Sequence, residues 1–264
     1  MKELSLELKY SMYEKAVQCP SADIDFVNRE FQKMYKKKPL VFREDFAGTG
    51  FTACQWVKQG ARHKAYAIDL DPAPIIYGKK RHYAKLTDQE KKRVSYVQAN
   101  VLKAEKFRSD VVVAFNFSYM IFQQREQMLK YFTAVRKSLN PKGFFFLDIL
   151  GGPESQIVIE DRRDYSSFVY YWDCIKFNPI NNEGHYAIHF RTKKPNKKYY
   201  NVFTYCWRLW TIPELRDLLQ EAGFSKTFVW WEGETRKGDG NGVYTLSEKE
   251  DNCDAWIAYL GAVP

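Results

Sequence analysis

Residues 48–53 read Gly-Thr-Gly-Phe-Thr-Ala and lie between a short apolar segment and a segment with helical apolar spacing. The Gly-x-Gly-x-x-Ala pattern fits the dinucleotide-binding fingerprint, in which the main chain holds a pyrophosphate at a helix N-terminus. Two acids, Glu44 and Asp45, come just before it. Like charges about 4 Å apart repel by about 1 kcal/mol in water and about 4 kcal/mol near a protein surface, so these acids disfavour a pyrophosphate. A ligand with a positively charged group fits the loop better.

Further polar residues follow other predicted strands and are candidates for the same site. Asp69 ends an apolar segment about 20 residues after the first glycine, the spacing at which an acid binds ribose hydroxyls. Asn100 follows the next strand, and its side-chain oxygen can accept a hydrogen bond. Asn116 and Tyr119, in the segment Asn-Phe-Ser-Tyr, could line a substrate pocket, with a local turn as the alternative.

The composition indicates one large α/β domain, or a domain with a sizeable insertion. The 264 residues are 45% hydrophobic and 28% charged, which allows an ordinary packed core. Five scattered cysteines without a Cys-x-x-Cys pair, and four histidines without His-Glu-x-x-His, argue against a disulfide framework and a zinc site. The charged first residues do not resemble a signal peptide, and the apolar runs are too short to span a membrane. We therefore expect a reduced, cytoplasmic protein without a metal.

The net charge of +9 favours anionic partners. Much of the excess lies in four lysine-rich runs, at 33–38, 79–85, 91–93 and 193–198. Such runs are most often solvated helix ends and loop tips. They do not distinguish RNA from a small acid or a phosphate ester.

Apolar strands that alternate with helical segments predict a doubly wound parallel sheet with right-handed connections. A helical segment over 4–35, with Ser21 as an N-cap, precedes a first strand that opens at residue 40. The next strands are predicted to end at Asp69 and to cover 94–101, 109–117 and 144–150, with helices at 51–59, 73–86 and 123–139 and a capping box at Thr87 and Glu90.

The pattern changes after residue 152. Residues 154–164 could form one more helix, and from residue 167 three β-rich runs separated by turns predict an antiparallel meander. A capping box, Thr211 to Glu214, then opens a helix that ends at Gly223. Two final strands are joined by a polar loop over 233–243. We therefore expect the meander to be an insertion within a single domain.

The sequence resembles the class I S-adenosylmethionine-dependent methyltransferases over nearly its whole length. Phe-Arg-Glu-Asp-Phe-Ala-Gly-Thr-Gly at 42–50 is similar to the first motif of that family, and Ala-Ile-Asp-Leu-Asp at 67–71 is similar to the second. Val-Gln-Ala-Asn-Val at 97–101 is similar to the third, and the segment 139–148 is similar to the stretch that enters strand five. The helix within 208–224, followed by two strands, resembles the usual close of the fold.

The resemblance implies an architecture. We expect a Rossmann-like, seven-stranded, doubly wound α/β sheet with the last strand antiparallel, and a small antiparallel β lid inserted after strand five, as in small-molecule N-methyltransferases. The expected division is a helical cap over 1–39, a methyltransferase domain over 40–152 and 206–264, and an inserted helix and lid over 153–205.

The resemblance also implies a cofactor, S-adenosylmethionine, and a product, S-adenosylhomocysteine. The methionine ammonium of this cofactor can lie near an acid, while its carboxylate faces the loop amides. The implied binding residues are Glu44, Phe46, Ala47, Gly48, Thr49, Gly50, Asp69, Leu70, Asn100, Val101 and Asn116. The sequence departs from the family at Phe46, where the first glycine is usual, and at Asn100, where aspartate is common.

Candidate catalytic residues are Tyr119, Asn116 and His189, and candidate substrate-binding residues are Tyr119, Arg191 and Arg208. His189 and Arg191 would act as a base and an anion clamp if their face of the meander closes over a cleft. If the apolar face packs on the core instead, they are surface residues. Arg208 lies where the lid of the family returns to the active site, and its guanidinium suits a carboxylate or phosphate.

Several functions remain open from the sequence. The preferred one is methyl transfer under the lid to a small molecule. An amine is the first choice of acceptor, and an anionic one is allowed. The lysine runs and the Asn-Phe-Ser-Tyr segment leave RNA or protein as alternative acceptors. An NAD(P)-binding reductase is opposed by Glu44, and Phe46 leaves a non-catalytic cofactor-binding protein open.

Overall fold

The computed structural model describes residues 4–236 and 240–264. The strands are β1 (Val41–Asp45), β2 (Lys64–Asp69), β3 (Val94–Gln98), β4 (Ser109–Ala114), β5 (Leu139–Gly151), β6 (Glu160–Asp164), β7 (Phe168–Asn178), β8 (Glu183–Lys193), β9 (Asn196–Arg208), β10 (Lys226–Glu234), β11 (Gly240–Leu246) and β12 (Trp256–Val263). The α-helices are α1 (Leu6–Val17), α2 (Pro20–Tyr35), α3 (Phe51–Trp56), α4 (Pro72–Arg81), α5 (Asp88–Lys91), α6 (Arg125–Ser138) and α7 (Ile212–Glu221).

The large sheet has the strand order β11-β10-β12-β5-β4-β1-β2-β3. Strands β1 to β5 are parallel, whereas β12 runs antiparallel to both of its neighbours. The strand order reverses between β1 and β4. In open α/β sheets a ligand binds at such a switch point, in the crevice beyond the carboxyl ends of the strands.

The centre of the sheet is buried on both faces, as the apolar run in β4 predicts. Val111, Val112 and Val113 have no exposed surface. Val112 belongs to one apolar cluster with Phe132 of α6, while Val111 and Val113 belong to another with residues of α2 and α3. Alternate side chains of β4 therefore pack against helices on opposite faces of the sheet.

Strands β6 to β9 form a second, antiparallel sheet in sequential order, called the β lid below. Phe190 and Ile188 of β8 pack with Met12 of α1 in a third apolar cluster. Tyr186, on the same face by alternation, belongs to the cluster of the large sheet. One face of the β lid is thus aromatic and covered by α1 and the large sheet.

The predicted fold class is confirmed, with several differences in detail. The predicted helix over 154–164 is wrong, because the exposed residues of β6 pair with the otherwise free edge of β7. Tertiary pairing here overrides local helical preference. The helix predicted to begin after Ser21 begins at Pro20. Strand β4 ends at Ala114 instead of 117.

The structure also differs from the prediction within the predicted loop over 233–243. Its last residues open strand β11, which pairs with β10 and makes the large sheet eight-stranded in the part of the chain that is described. The middle of this loop, 237–239, lies outside the described residues. An added edge strand satisfies the main-chain groups of β10 that would otherwise face water.

Candidate functional site

The glycine loop between β1 and α3 is held by very close contacts. Gly50 has φ 62°, and a Cβ atom there would lie 2.7 Å from the Tyr96 ring. The Tyr96 hydroxyl donates a hydrogen bond to the Thr49 carbonyl at 2.8 Å. In α4, a Cβ atom on Gly78 would lie 1.8 Å from the same carbonyl oxygen. Only glycine fits at either position, so the loop follows a fixed path.

Phe46 keeps the backbone conformation of the glycine that it replaces. Its φ is 55°, in the left-handed region, and the next amide, of Ala47, donates to the Ile68 carbonyl at 2.9 Å. The Phe46 ring packs 5.6 Å from the Tyr131 ring and 5.9 Å from the Phe122 ring. Burial of the ring offsets the strain, so the departure from the family motif leaves the loop path intact.

Asp69 connects the end of β2 to the glycine loop. One carboxylate oxygen accepts from the Gly48 amide at 2.6 Å and the other from the Asp71 amide at 2.8 Å. Burial raises the pKa of this carboxyl, and the two main-chain bonds partly oppose that shift. The side chain is half-buried, so its remaining lone pairs can accept from ribose hydroxyls.

Glu44 and Asp45 have different roles although they are adjacent. Asp45 forms a buried bidentate ion pair with Arg43, at 2.7 and 2.8 Å, and also accepts from the Tyr131 hydroxyl at 3.0 Å. Within residues 4–236 and 240–264 Glu44 has no basic partner, and its carboxylate accepts from the Ala53 amide at 3.1 Å. Burial raises the pKa of Glu44 to about 8, aided by the negative charges of Asp23 and Asp69. Of the two acids, Glu44 alone is left to meet a positive ligand.

The predicted adenine-side residues lie beyond β2 and β3. Asn100 is exposed, and its side-chain oxygen accepts from the Leu102 amide at 2.9 Å, which fixes the amide group beside the loop. Val101 is buried, and Leu70 leaves 64% of its surface exposed. An exposed apolar side chain next to Asp69 suits the face of a flat ring, and these assignments remain predictions.

A residue that the sequence did not indicate, Asp148 of β5, shapes the loop after β4. Its carboxylate accepts from the amides of Asn116 at 2.7 Å and Phe117 at 2.8 Å. Both of those residues have positive φ, 58° and 55°. Left-handed backbone costs about 1–2 kcal/mol per residue, so one carboxylate holds two strained residues in place. Burial raises the pKa of Asp148 to about 7.

Tyr119 is not in contact with the crevice, which corrects the prediction that it orients the acceptor. Its side chain has no exposed surface, and its hydroxyl donates to the Asp148 carbonyl at 2.9 Å. It belongs to the main apolar cluster. A substrate could reach it only after the loop opened, so it supports the loop from below.

His189 and Arg191 lie on the outer face of the β lid, so the structure does not bring them to the crevice. The His189 Nδ1 accepts from the Asn201 amide at 2.9 Å, and its Nε2 lies 3.1 Å from the Asp173 carboxylate. Glu160 is also within 3.9 Å of that nitrogen. The apolar face of β8 packs inward, and these two residues alternate to the other side. His189 is therefore withdrawn as a base, and Arg191 as an anion clamp.

The group of Glu160, Asp173 and His189 has the side-chain types of a metal site. A ligating imidazole normally donates its second N–H to an acceptor, whereas Nδ1 of His189 is itself an acceptor. Lys198 already supplies a cation, with Nζ 2.9 Å from Glu160. The donor set does not fit a metal ion.

Arg208 is also committed to a structural contact, which corrects its assignment as a free anion anchor. Its guanidinium donates to Glu214 at 2.9 Å and to the Gln123 carbonyl at 3.2 Å, and stacks 3.8 Å above Trp210. Glu214 is the acid of the capping box that opens α7. Arg208 thus fastens the end of the β lid to α7, and its charge is already balanced.

Helix α1 covers the glycine loop, a contact that sequence reasoning missed. Glu14 accepts from the Thr49 hydroxyl at 2.6 Å and pairs with His82 Nε2 at 2.6 Å. Tyr13, one residue earlier, shares a hydrogen bond with Tyr205 of β9. The available signal was a buried-face glutamate in α1, and nothing local indicated its distant partners.

The comparisons with known proteins bear on the fold and on one domain of the chain. The model of one family, a methyltransferase domain, matches residues 46–147. No curated protein matches the chain. Among the described residues no helix has both the length and the apolar character needed to span a membrane.

Solved structures share the fold over the whole chain at low identity. A S-adenosylmethionine-dependent methyltransferase from Clostridium acetobutylicum ATCC 824 has a TM-score of 0.69 and 14% identity, covering 96% of this chain and 97% of that one. CalS10, an amino pentose methyltransferase from Micromonospora echinaspora, has a TM-score of 0.67 and 11% identity, with 100% of both chains covered. The sugar N-methyltransferase KedS8 from Streptoalloteichus sp ATCC 53650 has a TM-score of 0.63 and 14% identity, covering 100% of this chain and 95% of that one.

Proposed function

We propose that the chain is an S-adenosylmethionine-dependent methyltransferase that methylates the amino group of a small molecule held beneath the β lid. A methyltransferase domain over 46–147 supports the activity. The observation that carries the proposal is the pairing of the glycine loop with two acids at adjacent strand ends, the buried Glu44 and the half-buried Asp69. The structural neighbours named as amino pentose and sugar N-methyltransferases support an amine as the acceptor.

The residues around the loop fit S-adenosylmethionine, which supplies a methyl group on a positively charged sulfur. Asp69 would accept from the ribose hydroxyls, and Asn100 from the adenine amino group. The fixed loop of 48–50 would present main-chain amides to the carboxylate of the cofactor. Glu44 would meet its positive end, and a bound cation would favour the ionised form of this carboxyl.

The contribution of the chain to the reaction would be positioning and the exclusion of water. Methyl transfer from a sulfonium is an in-line displacement, so alignment of a neutral nitrogen supplies most of the rate. The loop held by Asp148 would set the position of Asn116 beside the acceptor. The rings of Trp172, Tyr205 and Trp207 pack in tilted contacts on the inner face of the β lid, which would keep water out.

Three of the four lysine-rich runs give little support to RNA as the acceptor. The run at 33–38 ends α2 and the run at 91–93 precedes β3, so both lie at the amino ends of the parallel strands. The run at 193–198 forms the hairpin between β8 and β9. The cofactor loop lies at the carboxyl ends, away from these three runs. The run at 79–85 ends α4 and lies nearer the loop, because His82 stacks on Phe51 and shares Glu14 with Thr49. Because all five cysteines are free thiols, we also propose a cytoplasmic location.

The test is a methyl-transfer assay with a panel of amines, including amino sugars, and with RNA and protein as separate arms. We expect S-adenosylhomocysteine to form only with amines, and mass spectrometry to show the gain of one or more methyl groups. Asp69→Ala should abolish turnover. Methylation confined to RNA or protein would replace the proposal, and formation of no product with bound cofactor would leave a cofactor-binding protein.

A further inference from the structure

Four carboxyl groups converge on the carboxyl end of the large sheet. They are Asp23 in the first turn of α2, Glu44 in β1, Asp69 at the end of β2 and Asp148 in β5. Neighbouring strands are about 4.8 Å apart, so three of them lie across a sheet segment about 14 Å wide. Dissolved salt screens exposed charges that are more than a Debye length of about 8–10 Å apart. Buried charges are screened much less, so carboxylates at this spacing still repel one another.

These carboxyl groups have acids, not bases, as their charged neighbours. Asp23 and Asp69 raise the pKa of Glu44, and Asp23 also raises the pKa of Asp148. The pKa of Asp23 is itself raised to about 6, mainly by burial. Two arginines could be expected near this site, Arg43 from its place in β1 and Arg208 from the sequence. Each of them is paired with another acid. In the described part of the chain these carboxyl groups have no basic side chain paired with them, so the site becomes negative as they ionise.

Asp148 is the acid next to the predicted acceptor position. It lies beneath the loop of Asn116 and Phe117, and 9% of its surface is exposed. The Phe117 ring in turn meets Trp207 of the β lid at 6.2 Å. The titratable groups that face Asp148 from the surrounding elements are Tyr13 of α1, Asp23 of α2, Tyr119, Tyr244 of β11 and Tyr259 of β12.

We propose that the acceptor is an amine that enters the site as a cation and has no carboxylate or phosphate beside the amino group, and that Asp148 is the charge that selects it. The ammonium loses its proton to water before the transfer, and the neutral nitrogen then displaces the sulfonium, which leaves as uncharged S-adenosylhomocysteine. The inference rests on the proposed function and narrows its substrate. An anionic group near the amine would face four carboxyl groups without a basic partner. A buried, unpaired anion is among the most costly groups to bind. A cation gains from each ionised carboxylate instead.

The acceptor is not needed for the test, because sinefungin places an amino group where the methyl sulfonium of the cofactor would be. S-adenosylhomocysteine shares its adenosine and amino-acid parts but has no charge at that point. The ratio of their dissociation constants, measured by titration calorimetry, therefore reports the potential at the transfer point. We expect sinefungin to bind about tenfold more tightly at pH 8.5.

The sign of the pH dependence follows from the acids. An alkyl ammonium keeps its charge up to a pKa of about 10, so only the protein titrates over pH 6 to 8.5. Asp148 and Glu44, with pKa values of about 7 and about 8, are ionised at the upper end and protonated at the lower. The ratio of the dissociation constant of S-adenosylhomocysteine to that of sinefungin should thus be well above one at pH 8.5, and it should fall towards one as the pH falls to about 6.

Three variants assign the effect. Asp148→Asn should remove most of the preference and most of its pH dependence. Because this change also touches the loop, Asp23→Asn is the second variant: Asp23 bonds to Tyr259 and has no contact with the loop, so a partial loss is expected from its charge alone. Asp110→Asn is the matched control, since Asp110 also accepts from two main-chain amides, of Leu40 and Val41, but at the amino end of the sheet.

Each outcome bears on one conclusion. An equal affinity for both ligands at every pH overturns the inference and leaves the methyltransferase proposal standing. Unchanged ratios in Asp148→Asn overturn the role of that residue, and a changed ratio in Asp110→Asn shows that the ratio follows stability instead of charge. Failure of the wild-type protein to bind either ligand sinks the proposed function itself.

Discussion

Phe46 is a phenylalanine in a backbone conformation that glycine adopts freely. With φ 55° it bears left-handed strain, and its ring repays that strain by packing on Tyr131 and Phe122. The strain and the packing belong to the same side chain, so substitutions can separate them. Glycine relieves the strain and loses the ring, whereas alanine loses the ring and keeps the strain.

We expect Phe46→Ala to be less stable than Phe46→Gly by about 1 kcal/mol, the reverse of the usual order for these residues in regular structure. Both should fall below the wild type by roughly 2–4 kcal/mol, the range for loss of a large, partly buried aromatic side chain. Urea unfolding of the three proteins measures the order. Equal stability of the two variants would mean that the loop relaxes out of the left-handed region.

Glu44 is protonated more readily in the folded protein than in the unfolded chain. Its pKa rises from 4.5 to about 8 on folding, chiefly through burial. A raised pKa contributes stability that is complete below the unfolded value and is lost as the pH rises through the folded value. In the absence of ligand the wild type should therefore lose stability between pH 5 and 8.5.

Glu44→Gln should remove this part of the pH dependence. Relative to the variant, we expect the wild type to lose on the order of a few kcal/mol of unfolding free energy between pH 5 and 8.5. Chemical denaturation at the two pH values gives the comparison. Parallel curves for both proteins would show that Glu44 keeps an ordinary pKa in the fold.

At the scale of elements, helix α1 connects the glycine loop to the β lid. Glu14 on this helix bonds to Thr49 and His82, and Tyr13 bonds to Tyr205. A break at residues 18–19 separates this helix from α2, so α1 is an element of its own. The predicted division into a cap over 1–39, a main domain and an insertion over 153–205 is retained as a proposal, although β9 continues to Arg208.

We expect Glu14→Gln to weaken S-adenosylhomocysteine binding about tenfold, because a charged acceptor that fixes the loop is replaced by a neutral one. Titration calorimetry measures the affinity. Glu7→Gln is the matched control, as Glu7 lies on the same helix but is exposed in its first turn. Equal affinities of the Glu14 and Glu7 variants would show that α1 has no part in shaping the loop.

At the scale of the whole molecule, one buried ion pair joins the layers. Arg43 of β1 pairs with Asp45, donates to the Ala104 carbonyl at 2.9 Å, and shares Asp45 with Tyr131 of α6. Both charged side chains have no exposed surface. The signal in the sequence was an arginine two residues before an acid in a buried strand, which places both on one face.

Arg43→Leu should destabilise the protein by about 3–5 kcal/mol, because it leaves the Asp45 carboxylate buried without a partner. The double variant Arg43→Leu/Asp45→Leu should recover much of that loss, since it leaves no unpaired charge. Thermal and urea unfolding of the single and double variants test this. A double variant no more stable than the single one would show that the pair is worth more than its desolvation cost.

The sequence by itself determined the order along the chain of the strands of the large sheet other than β11, the glycine loop and its acids, and both capping boxes. These features depend on local periodicity, on turn chemistry and on residues within a few positions of one another. The boxes at Thr87 and Thr211 form as predicted because each one needs only a side chain three residues away.

Only the tertiary structure decided which polar side chains meet the crevice. Tyr119 and His189 have the residue types of a catalytic site, but Tyr119 is buried beneath the loop, and His189 is buried on the far side of the β lid, bonded to Asp173 and Asn201. In the sequence Asp148 is one more residue of a buried strand. In the structure it holds the loop after β4, because its carboxylate accepts from the amides of two residues with left-handed backbone that lie more than thirty positions earlier. Local sequence cannot report such contacts, because they arise when the ends of distant strands are brought to the same edge of a sheet.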